Sequence, residues 1–249
     1  MLEITDLRFR YSRRSDYVLN GVSLSVEDGQ VGIILGKNGS GKTTLFKNIL
    51  GLVKSESGSI RFNGEELSNM PLKKKSGIIA YVPQHIHFGS MSVYDSVLIG
   101  RVSYFNMKAG KEDYEAVERV LAEMHLEEYA DRNAEELSGG EKQKIAIARA
   151  LAQEPKFLIF DEPTGNLDLA NEQLIIAEGR KLAKEKGIGI LSSLHDLNQA
   201  LSFGDRFFFI KDGRIIKAGG ADAVDENVIN ETFGVKVSIA EFEGKKVII

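Results

Sequence analysis

The chain of 249 residues contains no cysteine. That absence removes disulfides, thiolate zinc sites, iron–sulfur ligation and cysteine nucleophiles together, and it fits a reducing compartment. Positive charge is not in excess either, because 32 Lys and Arg face 36 Asp and Glu for a formal net charge of −4. Nothing therefore draws the chain generally toward nucleic acid or an anionic membrane, and no nucleic-acid partner is expected. Long apolar runs are also missing. The strongest, Val31 to Leu35 and Phe207 to Ile210, fall well short of the ~20 residues of a membrane span. The opening MLEITDLRFR carries an acid at Glu3 and no apolar stretch of signal-peptide type. The expectation is a cytoplasmic protein whose membrane work, if any, goes through a partner.

Apolar runs of four to six residues alternate with helical patterns, the arrangement expected of an α/β protein with a largely parallel sheet. Strands are expected at Leu2 to Tyr11, Val22 to Glu27, Val31 to Leu35, Ser59 to Asn63, Ile78 to Val82 and Phe157 to Phe160. Three more are expected at Ile188 to Ser192, Phe207 to Lys211 and Arg214 to Ala218. The first sixty or so residues read instead as antiparallel strands joined by turns such as Asn63-Gly64, so a β-rich flank is expected beside the parallel core. From Met91 to Gln153 nothing reads as strand, and helices are expected at Ser92 to Gly100, Glu112 to Met124 and Gly139 to Gln153. A helical subdomain inserted into the sheet accounts for this. The end of the chain suggests a helix near Asp225 to Phe233 and edge strands at Lys236 to Glu241 and Lys245 to Ile249. The run Phe207-Phe208-Phe209 reads as a buried strand and Lys73-Lys74-Lys75 as a solvated turn.

Gly36-Lys37-Asn38-Gly39-Ser40-Gly41-Lys42-Thr43 follows a strand and opens an apolar-periodic helix, Thr43 to Leu50, which is the context a P-loop requires. Its glycines let successive backbone N–H groups converge on one point, and the helix N-terminus adds its positive dipole end. A polyphosphate is the natural ligand. Lys42 would reach the β- and γ-phosphates, Thr43 offers Mg²⁺ a hydroxyl, and Thr44 continues the same turn. Phe157-Leu158-Ile159-Phe160-Asp161-Glu162 is a buried-type strand ending in two carboxylates, where a parallel sheet opens its ligand crevice. In this Walker B arrangement Asp161 is placed to hold the metal's hydration shell and Glu162 to polarise the attacking water.

P-loops serve many functions. Leu137-Ser138-Gly139-Gly140-Glu141 narrows the field, since with it the sequence resembles the ATP-binding cassette (ABC) family, whose signature is LSGGQ; here Glu141 takes the place of the final Gln. On its own Ser138-x-x-Glu141 is a capping box that would start a helix. Paired glycines, however, cost helix stability and make sense where backbone must approach a ligand closely. The resemblance implies that this ligand is the γ-phosphate held on another subunit's P-loop. It implies further roles: Gln84 as the Q-loop glutamine near metal and water, Asp168 in the D-loop Thr164-Gly165-Asn166-Leu167-Asp168, His195 as the switch histidine on the γ-phosphate, and Tyr11 stacking on adenine. Tyr17 remains a rival for the base. His85 and His87 read as exposed loop histidines, since no Cys or clustered acid completes a metal site.

The chain holds one P-loop and one signature, so the resemblance implies a head-to-tail dimer of two copies with two ATP molecules between them. It covers almost the whole chain and implies a single ABC ATPase domain over 1–249. Within it fall a RecA-like core at 1–84 and 154–218, a helical subdomain at about 85–153 and a C-terminal extension at 219–249. ATP with Mg²⁺ is the implied cofactor set. The implied partners are membrane permease subunits, which would hold the chain at the cytoplasmic face of the membrane, and through them a substrate-binding protein. Val97-Leu98-Ile99-Gly100-Arg101, His195-Asp196-Leu197-Asn198 and Phe233-Gly234-Val235 resemble importers of iron chelates, haem or vitamin B12. An exporter or lipoprotein-release ATPase, a soluble cassette ATPase of DNA repair or translation, and an iron–sulfur assembly ATPase stay open as alternatives.

Overall fold

Buried and exposed side chains alternate through Leu2–Phe9, so this stretch lies as a strand with one face to the core. It is β1 of the computed structural model, which describes residues 1–105, 107–165 and 167–249. Next come β2 (Leu19–Val26), β3 (Val31–Leu35), helix α1 (Lys42–Leu50), β4 (Ser57–Phe62), the two-residue β5 (Glu65–Glu66) and α2 (Leu72–Ser76). After β6 (Ile79–Val82) the chain turns helical through α3 (Val93–Leu98), α4 (Lys111–Glu123) and α5 (Gly139–Leu151). It returns through β7 (Phe157–Asp161), α6 (Leu169–Lys186), β8 (Gly189–Ser193), α7 (Leu197–Phe203) and the hairpin β9 (Arg206–Lys211) to β10 (Arg214–Gly219). Helix α8 (Glu226–Phe233) and the hairpin β11 (Ile239–Phe242) to β12 (Lys245–Ile248) follow.

Two sheets result. One is antiparallel, in the order β2-β1-β4-β5, and the other runs β10-β9-β3-β8-β7-β6. In the second sheet β9, β3, β8, β7 and β6 are parallel neighbours, and only β10 is antiparallel. Strands β3, β7 and β8 are buried at every position because both faces of this sheet are covered, which is why they read as continuous rather than alternating apolar runs. Phe207 and Phe209 enter the hydrophobic cluster shared with α5, α6 and α7, whereas Phe208 enters the one shared with α1 and the antiparallel sheet. Each fully buried ring contributes about 2–3 kcal/mol of transfer free energy, so this strand pins the two layers together.

Among the described residues between Met91 and Gln153 there is no strand, only an isolated bridge from Ser92 to Asn133. Arg101, just past α3, is buried there. Its Nε lies 3.1 Å from Asp113 Oδ1 at the start of α4, and its Nη1 donates to the Ala152 carbonyl at 2.8 Å and lies 3.0 Å from Glu154 Oε2 beyond α5. One guanidinium thus ties three helices together.

Several expectations shift. Lys73-Lys74-Lys75 lies in α2 rather than in a turn; Lys73 and Lys74 are exposed as expected, but Lys75 is only 4% exposed, its amine against Gly51. A lysine stem can bury while its charge is pulled to an edge, and burial holds the Lys75 pKa below its usual value against the attraction of Glu66. β1 stops at Phe9, leaving Tyr11 outside the strand, and the first C-terminal edge strand begins at Ile239 rather than Lys236. The helix expected to reach Gly100 ends as α-helix at Leu98 and tightens into a 3₁₀ turn over Ile99–Arg101. Helices α6 and α7 were not anticipated. The C-terminal hairpin is fastened beside α7, where Asn198 Nδ2 donates to the Ile248 carbonyl at 3.0 Å and Ile248 N–H donates to Asn198 Oδ1 at 2.9 Å.

Candidate nucleotide-binding site

The centre of the parallel sheet decides where a ligand can sit. β3 lies between β9 and β8, and the loop leaving its C-terminal end, Gly36 to Gly41, curls directly into α1. Glycine is required at two of its positions: a Cβ on Gly36 would stand 2.4 Å from the Ile210 carbonyl oxygen, and Gly41 has φ of +109° with a Cβ position 2.9 Å from the Val18 carbonyl. Lys37, Asn38 and Gly39 are exposed, while Ser40, Lys42 and Thr44 are buried and Thr43 is open to the cavity. That cavity, about 480 Å³, is lined by Tyr11, Asn38, Gly39, Gly41 to Thr44, Gln84, Glu162 and His195.

Lys42 curls back within it, its Nζ donating to the carbonyls of Gly36 at 2.7 Å and Lys37 at 3.2 Å. Burial pushes its pKa down, and the nearby Glu162 and Asp161 carboxylates resist that shift. An ammonium held on backbone carbonyls, with converging N–H groups beside it, is a ready anion receptor. Tyr11 stands at the mouth of the cavity, its ring edge-on to Phe9 at 4.9 Å and its hydroxyl 3.2 Å from Thr44 Oγ1, with 62% of its surface free. Tyr17 is engaged elsewhere, donating to Glu56 Oε2 at 3.0 Å with the Arg10 guanidinium over its ring.

At the end of β7, Asp161 is buried. Ser193 Oγ donates to its Oδ1 at 2.8 Å, and Tyr81 Oη donates to its Oδ2 at 3.2 Å. Burial, with help from this carboxylate, pushes the Tyr81 pKa up, so the phenol keeps its proton. Glu162 adopts φ of +52° and faces the cavity between two partners: Gln84 Nε2 donates to Oε2, and His195 Nε2 lies 2.6 Å from Oε1. Five sequence segments far apart in the chain thus meet at one cavity. His85 and His87 are exposed outside it, and no group of three or more His, Cys, Asp or Glu that could hold a metal occurs among the described residues.

The signature residues lie elsewhere. Among the described residues none of Ser138, Gly139, Gly140 or Glu141 lines the cavity. Ser138 caps α5 in a reciprocal box: its Oγ accepts from Glu141 N–H at 3.4 Å, and Glu141 Oε2 accepts from Ser138 N–H at 2.8 Å and from its hydroxyl at 2.7 Å. These bonds, the Ser138 hydroxyl first, hold the Glu141 pKa below the usual range. Gly140 also has a reason within the chain, because a Cβ there would stand 2.2 Å from Asn171 Oδ1 at the start of α6. Asp168 caps that helix, accepting from Asn171 N–H at 2.8 Å, a role the motif comparison did not anticipate. Asn166 lies outside the described residues. Sequence reasoning also missed the hydroxyls of Tyr81 and Ser193, since only the register between neighbouring strands brings them to Asp161.

The family profile described as ABC transporter matches residues 19–165. The chain belongs to the ABC transporter family. Its ATP-binding cassette folds as an ABC ATPase, and the protein is an ATPase. It is 39% identical to an uncharacterised ABC transporter ATP-binding protein of Methanocaldococcus jannaschii, over 100% of this chain and 97% of the relative. A phosphonates import ATP-binding protein of Synechococcus sp. is 33% identical over 94% of this chain and 90% of its own. A hemin import ATP-binding protein of Gloeobacter violaceus is 32% identical over 90% and 83%. Among solved structures, an inward-facing transporter assigned to the metal-chelate type superposes with a TM-score of 0.86 at 26% identity, covering 100% of this chain and 96% of the other. A dimeric bacterial ABC transporter cassette superposes with a TM-score of 0.77 at 28% identity, covering 88% and 98%. No described helix of this ABC protein is long and apolar enough to cross a membrane.

Proposed function

We propose that this ABC ATPase energises a membrane importer of the iron-chelate, haem or cobalamin type, working as a head-to-tail pair beneath permease subunits at the cytoplasmic face. The observation that carries the paired arrangement is the separation described above: the P-loop cavity gathers Lys42, Thr43, Gln84, Glu162 and His195, whereas Ser138, Gly139 and Gly140 stand outside it on a capped helix end. A helix N-terminus with exposed Gly139 offers a second half-site for the γ-phosphate of ATP held on another copy. The import reading draws on the hemin and phosphonate import relatives, and the cargo class on the metal-chelate superposition together with the wording around Val97, His195 and Phe233. A substrate-binding protein delivering cargo to the permease completes the proposed assembly. Within the chain we assign the core to 1–84 and 154–218, the helical subdomain to about 85–153 and the extension to 219–249.

The roles follow the chemistry. Tyr11 takes the adenine face, the backbone from Gly36 to Thr44 cradles the phosphates, and Lys42 turns from its carbonyls to the β- and γ-phosphates. Asp161, Thr43 and Gln84 supply hard oxygen donors of the kind Mg²⁺ prefers, and few protein ligands suit a cation that also takes phosphate oxygens and water. Bound there, Mg²⁺ supplies charge neutralisation at the transferred phosphoryl group. Glu162 orients the attacking water and accepts its proton, and His195 contacts the γ-phosphate. Gln84 and His195 each occupy one Glu162 oxygen, which steadies the carboxylate and leaves it further acceptor sites for water. Asp168 and Glu141 shape the loops that meet the other copy. Light scattering of the Glu162→Gln variant with Mg²⁺ and ATP tests the pairing, which requires dimers; a strictly monomeric sample at high concentration, permease included, would end the proposal. Copurification of a tagged chain with permease subunits separates the transport reading from a soluble ATPase.

A further inference from the structure

Strand β8 ends in two serines, Ser192 and Ser193, neither of them exposed, beside the buried Asp161 that ends β7. A buried hydroxyl is costly unless bonded. Ser193 sits directly opposite Asp161 in the parallel register between β8 and β7. From there its Oγ does two things at once, donating to Asp161 Oδ1 at 2.8 Å and accepting from the backbone N–H of Glu162 at 3.0 Å. Glu162 needs such a tether, because its φ of +52° is left-handed, a conformation that side chains other than glycine hold only when their surroundings over-determine it. The other Asp161 oxygen is held by Tyr81, which makes no hydrogen bond to Glu162.

We propose that Ser193 is a positioning residue for ATP hydrolysis, its single hydroxyl fixing the direction of the Asp161 carboxylate and the left-handed turn that points Glu162 at the water. Tyr81 acts on Asp161 alone. The inference rests on the roles proposed above for Asp161 and Glu162. The two hydroxyls therefore have separable consequences: losing Tyr81 Oη loosens metal binding, whereas losing Ser193 Oγ loosens metal binding and misaims the base.

The test compares full-length Ser193→Ala and Tyr81→Phe with the parent chain, with Asp161→Asn as control. In metal-free, nucleotide-free protein, hydrogen exchange at the Glu162 amide should quicken in Ser193→Ala and not in Tyr81→Phe. Mn²⁺ retained with a non-hydrolysable ATP analogue, read by electron paramagnetic resonance, should weaken in both, while analogue affinity measured in EDTA stays unchanged. At saturating Mg²⁺, Tyr81→Phe should recover the parent kcat and Ser193→Ala should stay down by about tenfold. A Ser193→Ala chain with parental amide exchange and parental kcat at saturating Mg²⁺ overturns the proposal. If Asp161→Asn retains Mn²⁺ like the parent, the metal reading of Asp161 fails and takes this inference with it. If Asp161→Asn loses Mn²⁺ and Ser193→Ala does not, the role of Ser193 alone is refuted.

Discussion

The P-loop end of the molecule and the signature end are both helix N-termini offering backbone N–H groups, yet they are finished differently. Around the first, strand ends from across the sheet converge, and Lys42, Glu162 and His195 face one cavity. The second is closed on itself: Glu141 satisfies Ser138, Asn171 fills the space over Gly140, and Asp168 caps the adjoining helix. A half-site that satisfies its own hydrogen bonds is stable without ligand and gives up little until a partner supplies a stronger acceptor. In the proposed arrangement the first end binds nucleotide alone, and the second acts only in company.

The contrast can be broken most forcefully at Glu162. Glu162→Gln should lower turnover by at least ~100-fold, since general-base contributions run from about 10² to 10⁴, while the ATP-driven pair survives; phosphate release and light scattering measured together check both halves. Next is a matched pair of variants. Lys42→Ala should weaken ATP binding to the single chain by about tenfold or more, through loss of a charge-assisted contact, whereas Ser138→Ala should leave it unchanged and weaken only the pair, as titration below and above the dimer concentration would reveal. Tyr11→Ala should raise the ATP KM by roughly tenfold, because stacking on a base is worth about 1–3 kcal/mol, and Tyr17→Ala should leave KM where it is. The smallest effect is on the Ser138→Ala chain without nucleotide, which should lose about 1 kcal/mol of stability with its helix cap, visible in chemical denaturation.

The parts legible in the sequence are those whose chemistry demands fixed spacing along the chain. The P-loop could be read because its glycines, Lys42 and Thr43 must be consecutive between a strand and a helix, and the strand ending in Asp161-Glu162 because burial and acidity adjoin there. The choice between Tyr11 and Tyr17 could not be made, since it depends on how residues 12–17 fold and on Arg10 and Glu56 capturing Tyr17. Ser193 was invisible because its partners are fixed by strand register. Helix α6 escaped notice although Asp168 at its start and the left-handed Gly187 at its end are good punctuation; its buried residues are few for an 18-residue helix, so the apolar stripe is faint. Lys75 misled because a basic run is normally solvated, and only the packing of its stem against Gly51 reverses that.

Arg101 gives the helical region its mechanical character. With its guanidinium sunk among Asp113, Glu154 and the Ala152 carbonyl, the end of α3, the start of α4 and the end of α5 cannot slide past one another without stranding a charge in low dielectric. A displacement at the exposed edge near Ile99 and Val102 would therefore have to carry the end of α5 with it, and α5 is the helix that Ser138 caps at its other end.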